Sequence, residues 1–421
     1  MRDIVLAHKV ERDHLLAGTY VIRESLDVAR KNMDNDLIKV VLGPRRAGKS
    51  VFSIQLLQGI DFAYLNFDDE RLLKVTDYDE FIKAIRHIYG ETRYLLFDEI
   101  QNLKDWELFI NRLQRQGFRI VITGSNAHLL SRELSTHLTG RFLQFQILPF
   151  SFREFLEAKG FSVEKTHKTK EMQGLILNYL DEYIAKGGFP EIVVKNLEPK
   201  GYLSTLFESI LFKDITKRYS VRYAKKLFDL GHYLISNHSS EVTSTRLKNI
   251  LGFSSVHTVE NYIKYLTEAF ILFFVDRFSF KSGERLKSPK KVYSYDTGMA
   301  KSVKFSLSHD MGKFMEHIVA IEVIRKGIEP YTYKTVNGKE VDFVIKIGSH
   351  IVELIQVCYD ISDYKTKKRE LGALVKAGEE LKCDRLMVIT WENEGVETIN
   401  NKKIIILPLW RWLLEEEPLG Q

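Results

Sequence analysis

GPRRAGKS, Gly43 to Ser50, decides the reading of this 421-residue chain. It follows LIKVVL (Leu37 to Leu42), an apolar and β-branched run that predicts a buried strand. The eight residues fit G-x-x-x-x-G-K-[ST]. Gly43 and Gly48 let the backbone turn tightly and approach an anion without a Cβ clash. Successive backbone N–H groups then form an anion-binding concavity where the next helix, SVFSIQLLQGI, begins. The expected nucleotide cradle runs from Gly43 through Pro44, Arg45, Arg46, Ala47, Gly48, Lys49 and Ser50 to Val51. Lys49 is expected at the β- and γ-phosphates, and the Ser50 hydroxyl on Mg²⁺.

A second motif completes the first. YLLFDEIQ (Tyr94 to Gln101) is an apolar run ending in two acids. A carboxylate at the end of a neighbouring strand holds Mg²⁺ through water, which assigns Asp98. Glu99, the next residue, is placed to activate an attacking water as general base. A third run, FRIVITGSN (Phe118 to Asn126), ends in small polar residues. Ser125 or Asn126 reaches the γ-phosphate or the water in one reading; in the other, Thr123 to Asn126 is an ordinary strand-ending turn.

The order of loop, DE motif, TGSN, LTGRFLQFQILPFSFREF (Leu138 to Phe155) and GGFP (Gly187 to Pro190) resembles AAA-type ATPases of archaea and bacteria. Those proteins carry a fused C-terminal region of unknown function, and the resemblance extends over nearly the whole chain, FAYLNFDDERL (Phe62 to Leu72) included. It implies ATP, rather than GTP, with Mg²⁺. It also implies an arginine finger at Arg141, in the matching TGR, acting in cis or from a neighbouring subunit; a finger in trans would make the protein a homo-oligomer. A structural salt bridge is the other role open to Arg141, and Arg132 is a second candidate.

Composition bounds the rest. An apolar share of 44% is ordinary for a globular protein, and the length suggests two to four domains. Two cysteines, Cys358 and Cys383, exclude a disulfide framework and a zinc pattern. The N-terminal stretch lacks a signal-peptide core and no apolar run reaches membrane-spanning length, so a cytoplasmic protein without a membrane partner is expected. A net charge of +6 permits a nucleic-acid partner without requiring one. The charge concentrates in Lys213 to Lys226, with six Lys/Arg against one Asp, and in Lys281 to Lys291, with five against one Glu.

Between these runs lies TSTRLKNILGFSSVHTVENYIKYLTEAF, Thr243 to Phe270. Thr245 to Leu251 predicts a short helix ending at Gly252, and Ser254 or Ser255 caps a second. Val256, Val259, Ile263 and Leu266 give the second helix an apolar face, which leaves His257, Thr258, Asn261 and Lys264 pointing elsewhere. With the strand-like runs Ile271 to Phe280 and Lys290 to Asp296, this predicts a winged helix. DNA contact would then use those four residues and a wing carrying Arg285, Lys287, Lys290 and Lys291. A winged helix used for protein contacts is the alternative.

The last third reads as helix (Gly312 to Lys326, with an apolar stripe at Phe314, Ile318, Ala320 and Val323), three strands, helix (Asp363 to Ala377) and further strands. That order resembles the restriction-endonuclease-like fold, whose carboxylates bind Mg²⁺ and whose lysine positions or activates water. Matching positions are Glu316, Asp342 and Gln356. The motif departs from the family at Cys358, which replaces the lysine, and Glu353 points to the opposite strand face. Lys365, Lys367 or Lys368 is the expected source of the missing charge. The expected architecture is α/β: an AAA-type P-loop core with helical lid (1–200), a winged-helix region (201–307) and a degenerate nuclease-like domain (308–421). Three functions are compatible with it: a DNA-engaging ATPase, a nucleotide-switched regulator of a protein partner, and an ATP-regulated nuclease.

Overall fold

The computed structural model describes residues 1–126, 140–162, 169–303 and 310–415. Two compact units emerge: Met1–Phe150 with Glu268–Phe270, and Ser151–Thr267 with Ile271–Gln421.

In the first unit, helices α1 (Arg2–Ala17) and α2 (Leu26–Arg30) precede β1 (Ile38–Leu42), α3 (Lys49–Leu56), β2 (Phe62–Asn66), α4 (Asp79–Tyr89), β3 (Tyr94–Asp98), α5 (Trp106–Arg115), β4 (Arg119–Gly124) and β5 (Phe142–Gln146). The strands form one parallel sheet in the order β2-β3-β4-β1-β5. Every residue of β1 is buried, as a central strand covered on both faces requires. Helix α4 shows how the covering is built. Phe81, Ile82, Ala84 and Ile85 face inward, acids occupy its first turn, Arg86 and His87 its last, and Gly90 ends it. In such a sheet, ligands bind beyond the carboxyl ends of the strands, where β1, β3 and β4 deliver Gly43, Asp98 and Ser125.

The second unit opens with α6 (Phe152–Ala158), fixed by a reciprocal capping box between Ser151 and Glu154. Helices α7 (Lys170–Lys186), α8 (Pro190–Lys195) and α9 (Pro199–Ser209) follow, then a π-helical turn, Ile210–Thr216. Next come α10 (Ala224–Ser236), β6 (Ser240–Val242), α11 (Ser244–Leu251), α12 (Val256–Glu268), β7 (Leu272–Arg277), α13 (Ser282–Lys287) and β8 (Lys290–Ser294). The chain continues through α14 (Thr297–Val303), α15 (Met311–Arg325), β9 (Pro330–Lys334), β10 (Glu340–Ile347), β11 (His350–Val357), α16 (Tyr364–Glu380), β12 (Leu386–Thr390), β13 (Gly395–Ile399), β14 (Lys402–Pro408) and α17 (Leu409–Leu414). Thr243 caps α11, Gly252 ends it with φ 63°, and the Ser255 hydroxyl accepts from the His257 N–H at the start of α12.

Three expectations change here. The buried face of α12 is Val259, Tyr262 and Leu266; Val256 and Ile263 are only half-buried. Helix α15 has no single stripe, because Met315, His317, Val319, Ile321 and Glu322 are buried along with the expected residues. The segment expected to be a wing contains a short helix, α13, and is continuous with the C-terminal strands: β7 pairs with β8 on one side and with β9 on the other. One sheet, β13-β14-β12-β11-β10-β9-β7-β8-β6, therefore runs across the expected boundary at 307.

The GGFP turn has a partner in this unit. Asp296 is fully buried and accepts from the Gly188 N–H at 2.7 Å and the Met299 N–H at 2.8 Å. Gly187 adopts φ 75°, and a Cβ there would lie 2.2 Å from the Asp296 carboxylate, so the position tolerates no side chain. Burial pushes the Asp296 carboxyl up to about 7, against the pull of the backbone N–H groups of Gly188, Met299 and Gly298.

Candidate nucleotide site

The loop between β1 and α3 is shaped as its sequence requires. Gly43 has φ 152°, and an ideal Cβ there would sit 1.9 Å from the Ile147 carbonyl oxygen. Gly48 enters α3 in the left-handed region, and Arg46, with φ 66°, is exposed. Pro44 and Ala47 are buried; Arg45 and Val51 are half-buried. Lys49 is only 4% exposed, and its ammonium donates to the Pro44 carbonyl at 3.1 Å.

Lys49, Asp98, Glu99 and Ser125 converge. The Lys49 ammonium lies 3.5 Å from Glu99 Oε1. Glu99 Oε2 accepts from Ser125 Oγ at 3.0 Å and from the Gln101 amide. Burial alone would raise the Glu99 carboxyl, but Lys49, Gln101 and Ser125 hold it below its ordinary range. Its backbone is left-handed, φ 49°, fixed by an N–H bond to Thr123 Oγ1 at 3.0 Å. Thr123 in turn donates to Asp98 Oδ1, and the Ser50 hydroxyl bonds the same carboxylate. Burial, then the Glu99 charge, raises Asp98 to about 6 despite these bonds. Asn126 is buried at the end of the same turn.

Several of these groups were not singled out by the sequence motifs. Thr123 belongs to the turn that admitted two readings. Gln101 closes the YLLFDEIQ stretch. Tyr64, on β2, places its hydroxyl 3.2 Å from Asp98 Oδ2 and 3.1 Å from Glu11 Oε1 on α1. Burial, with the two carboxylates, pushes that hydroxyl well above its ordinary range, so it remains protonated. A buried tyrosine in an apolar strand carries no sequence signal beyond core packing.

Arg141 is not at this site within its own chain. Strand β5 runs parallel to β1 with Gln146 level with Leu42, and the Ile38 N–H donates to the Arg141 carbonyl. Arg141 therefore sits at the amino end of the sheet, about 17 Å down the strand from the loop. Its guanidinium donates to Asn111 Oδ1 at 2.7 Å. Arg132 lies outside the described residues.

The second unit also gathers its expected residues, with one surprise. Glu316 on α15, Asp342 on β10 and Gln356 on β11 lie together, and the Asp342 N–H approaches Gln356 Oε1 at 3.4 Å. The cation among them is Lys291. Its ammonium is 3.1 Å from Glu316 Oε1, 3.1 Å from Asp342 Oδ1 and 2.7 Å from Glu340 Oε1. Lys291 is 6% exposed, which removes it from the expected DNA contacts. Burial alone would lower its pKa, but the carboxylates of Asp342, Glu316 and Glu340 raise it, so it stays charged. The expected sources of this charge are elsewhere: Lys367 pairs with Glu397, Lys368 lies over the Tyr364 ring, and Lys365 is exposed. Glu353, on the other strand face, pairs with Arg385 at 2.9 Å, and Cys358 is a free, half-buried thiol. Among the described residues, no group of His, Cys, Asp or Glu is arranged to hold a metal ion.

Of the other expected DNA contacts, His257, Lys264 and Lys287 are exposed; Thr258, Asn261, Arg285 and Lys290 are partly so. Lys290 pairs with Asp276 at 2.9 Å. No described helix is long and apolar enough to cross a membrane.

A five-stranded parallel sheet, a phosphate-binding loop after β1 and an acidic pair after β3 define an α/β protein with a P-loop ATPase core. Residues 35–156 match the family described as AAA domain; 177–309 and 311–412 match two domains of unknown function, DUF8612 and DUF4143. The chain belongs to the same family as the uncharacterised protein MJ1544 of Methanocaldococcus jannaschii, 37% identical over 424 residues and 94% of either chain. An uncharacterised protein of Haemophilus influenzae is 33% identical, over 78% of this chain and 84% of its own. Among solved structures, the Walker-type ATPase PABY2304 of Pyrococcus abyssi aligns with a TM-score of 0.45 and 14% identity, covering 69% of this chain and 99% of its own. AMPPCP-bound DnaA from Aquifex aeolicus aligns with a TM-score of 0.26 and 17% identity, covering 58% and 86%.

Proposed function

We propose that this protein is a Mg²⁺-dependent ATPase whose nucleotide state controls engagement of DNA. The observation that carries the first half is the convergence of Lys49, Asp98, Glu99 and Ser125 at one end of the sheet, beside a loop that excludes a Cβ at Gly43. The donor set suits the cofactor: a hydroxyl and a carboxylate, Ser50 and Asp98, are hard oxygen ligands, and the amides from Arg45 to Val51 suit phosphate oxygens. Bound Mg²⁺ would neutralise charge on the transferring phosphoryl group. Lys49 exchanges its contact with Glu99 for phosphate, which frees the Glu99 carboxylate to take a proton from water. Ser125 and Gln101 hold that carboxylate in place. Lys49→Ala should weaken nucleotide binding, and Glu99→Gln should bind ATP but turn over at least a hundredfold more slowly. Turnover unchanged in Glu99→Gln removes its role as base. Arg141 is left with a finger in trans, which requires a second copy, or a structural role through Asn111.

The second half rests on the α10-β6-α11-α12-β7-α13-β8 order, that of a winged helix with a short helix between its last two strands, and on Lys264 and Lys287, exposed, with Arg285 partly so. Lys213, Lys217, Arg218, Arg222 and Lys225 form another exposed basic run. Fluorescence anisotropy with duplex DNA at physiological salt tests this; binding unaltered by Arg285→Glu with Lys287→Glu would sink it. One observation favours a protein partner instead: Phe280 and Leu286, 79% and 75% exposed, share the wing with these cations. Strand cleavage has less support, since the Lys291 ammonium occupies the centre of the acid cluster; cleavage lost in Asp342→Ala would revive it.

A further inference from the structure

Helix α1 is tied to the end of β2 by a set of bonds that leads to the Mg²⁺ position. Glu11 Oε1 accepts from Asn66 Nδ2 at 3.1 Å, and His8 Nδ1 accepts from the Asn66 N–H at 3.3 Å. His8 Nε2 lies 3.2 Å from Asp69. Tyr64 joins this set to Asp98, since its hydroxyl is within hydrogen-bonding distance of both Glu11 and Asp98. A phenol has one proton, so it donates to one carboxylate at a time. His8 is 4% exposed and Tyr64 fully buried, so water does not substitute for these bonds at little cost.

We propose that Tyr64 is a positioning residue for Asp98 and that, by turning its hydroxyl between Asp98 and Glu11, it reports occupancy of the Mg²⁺ position to helix α1. The inference rests on the ATPase reading above. The phenol is within reach of both carboxylates, Glu11 at 3.1 Å and Asp98 at 3.2 Å. When Asp98 turns its oxygen to a metal-bound water, the phenol proton goes to Glu11 and tightens α1 against β2. Nucleotide state then reaches the first helix through three side chains, without any movement of the sheet.

The test uses the full chain with ADP, with Mg²⁺ or with EDTA. Fluorescent ADP gives nucleotide affinity in EDTA and the Mg²⁺ half-saturation. Hydrogen exchange gives protection of Arg2–Ala17. In the wild type, Mg²⁺ should slow exchange around Glu11 several-fold. In Tyr64→Phe, nucleotide affinity in EDTA should stay within about twofold, Mg²⁺ half-saturation should rise roughly tenfold, the equivalent of one hydrogen bond, and the Mg²⁺-dependent protection should vanish. Glu11→Ala removes the acceptor on α1, so the phenol stays with Asp98 and the protection should be lost without a rise in Mg²⁺ half-saturation; it decides the matter if Tyr64→Phe fails to fold by circular dichroism. Wild-type half-saturation with wild-type protection in the folded variants overturns the inference and leaves the ATPase reading standing. No ADP binding by the wild type removes both.

Discussion

Lys291→Met is the most discriminating single change in the second unit. Methionine keeps most of the side-chain volume and deletes only the charge, so the cost is electrostatic. Removing one partner from a buried ion pair costs about 3–5 kcal/mol, because the other charge is left without compensation. The geometry places this case at the lower end. Glu316 keeps the Tyr293 hydroxyl at 2.5 Å, Asp342 keeps the Val357 N–H at 3.0 Å, and the Glu340 side chain is 42% exposed. We expect about 3 kcal/mol of destabilisation, roughly 6–12 °C in the melting temperature of a unit of this size. Tryptophan fluorescence is a suitable probe, because Trp391, Trp410 and Trp412 lie in this unit and only Trp106 in the other.

The pH dependence adds a signature. In the wild type, burial and the Asp342 charge raise Glu316 from 4.5 to about 7. A carboxyl raised on folding binds more protons in the folded state, so its contribution is full below 4.5 and falls as pH climbs through 7. Without the Lys291 ammonium the folded value rises further, and the loss extends to higher pH. The deficit of Lys291→Met should therefore be larger at pH 8 than at pH 6. Adding Asp342→Asn should recover part of it, since one of the carboxylates left facing Glu316 is then neutral. A melting temperature within 2 °C of wild type at pH 8 refutes the reasoning.

Contacts elsewhere in the two units set three further outcomes. Gly187→Ala should destabilise the second unit by roughly 2 kcal/mol, read by thermal melting, because the new Cβ meets the Asp296 carboxylate at a positive φ. His317, fully buried, is held down to about 4 by burial against a backbone bond to Ser294. Its unfolded form binds the proton first, so stability rises with pH between 4 and 6.5; urea titrations should show about 3 kcal/mol of that dependence absent in His317→Gln. Arg141→Ala should leave ATP affinity within twofold at protein concentrations that keep the chain monomeric; a tenfold weakening there would contradict its place at the amino end of β5.

The nucleotide site was legible because its chemistry is carried by backbone. A loop that must approach phosphate needs glycine at fixed positions, and Gly43 and Gly48 wrote that into the sequence. Lys49, Ser50, Asp98 and Glu99 then follow from their distance along strand and helix. The sequence leaves Arg141 open between a finger in cis, one in trans and a structural role, because motif order gives no register; the pairing of Ile38 with Phe142 shows which end of the sheet it occupies. Tyr64 escaped notice because a single polar group in a buried strand looks like core, and Thr123 reads only as part of a turn. Lys291 is the clearest case. In the sequence it is one cation in a basic run, and only the parallel pairing of β7 with β9 carries β8 beside the acids of α15 and β10.

That relocation changes the DNA reading quantitatively. With Lys291 buried and Lys290 paired with Asp276, three cations are left of those expected to contact DNA: Lys264, Arg285 and Lys287. Three phosphate contacts give a slope of log K against log salt of about −2.7, a loss of roughly fortyfold between 50 and 200 mM. If the exposed run from Lys213 to Lys225 joins them, five more cations take the slope to about −7 and the loss to about 10⁴. The slope therefore counts which surface meets DNA. A value near −3 that becomes shallower in Lys287→Glu assigns the expected wing; one near −4.5 that survives Lys287→Glu assigns the run from Lys213 to Lys225 alone. Binding with no salt dependence would contradict both. It would instead favour the exposed Phe280 and Leu286 as the contact, and with them a protein partner, since apolar burial carries no counterion release.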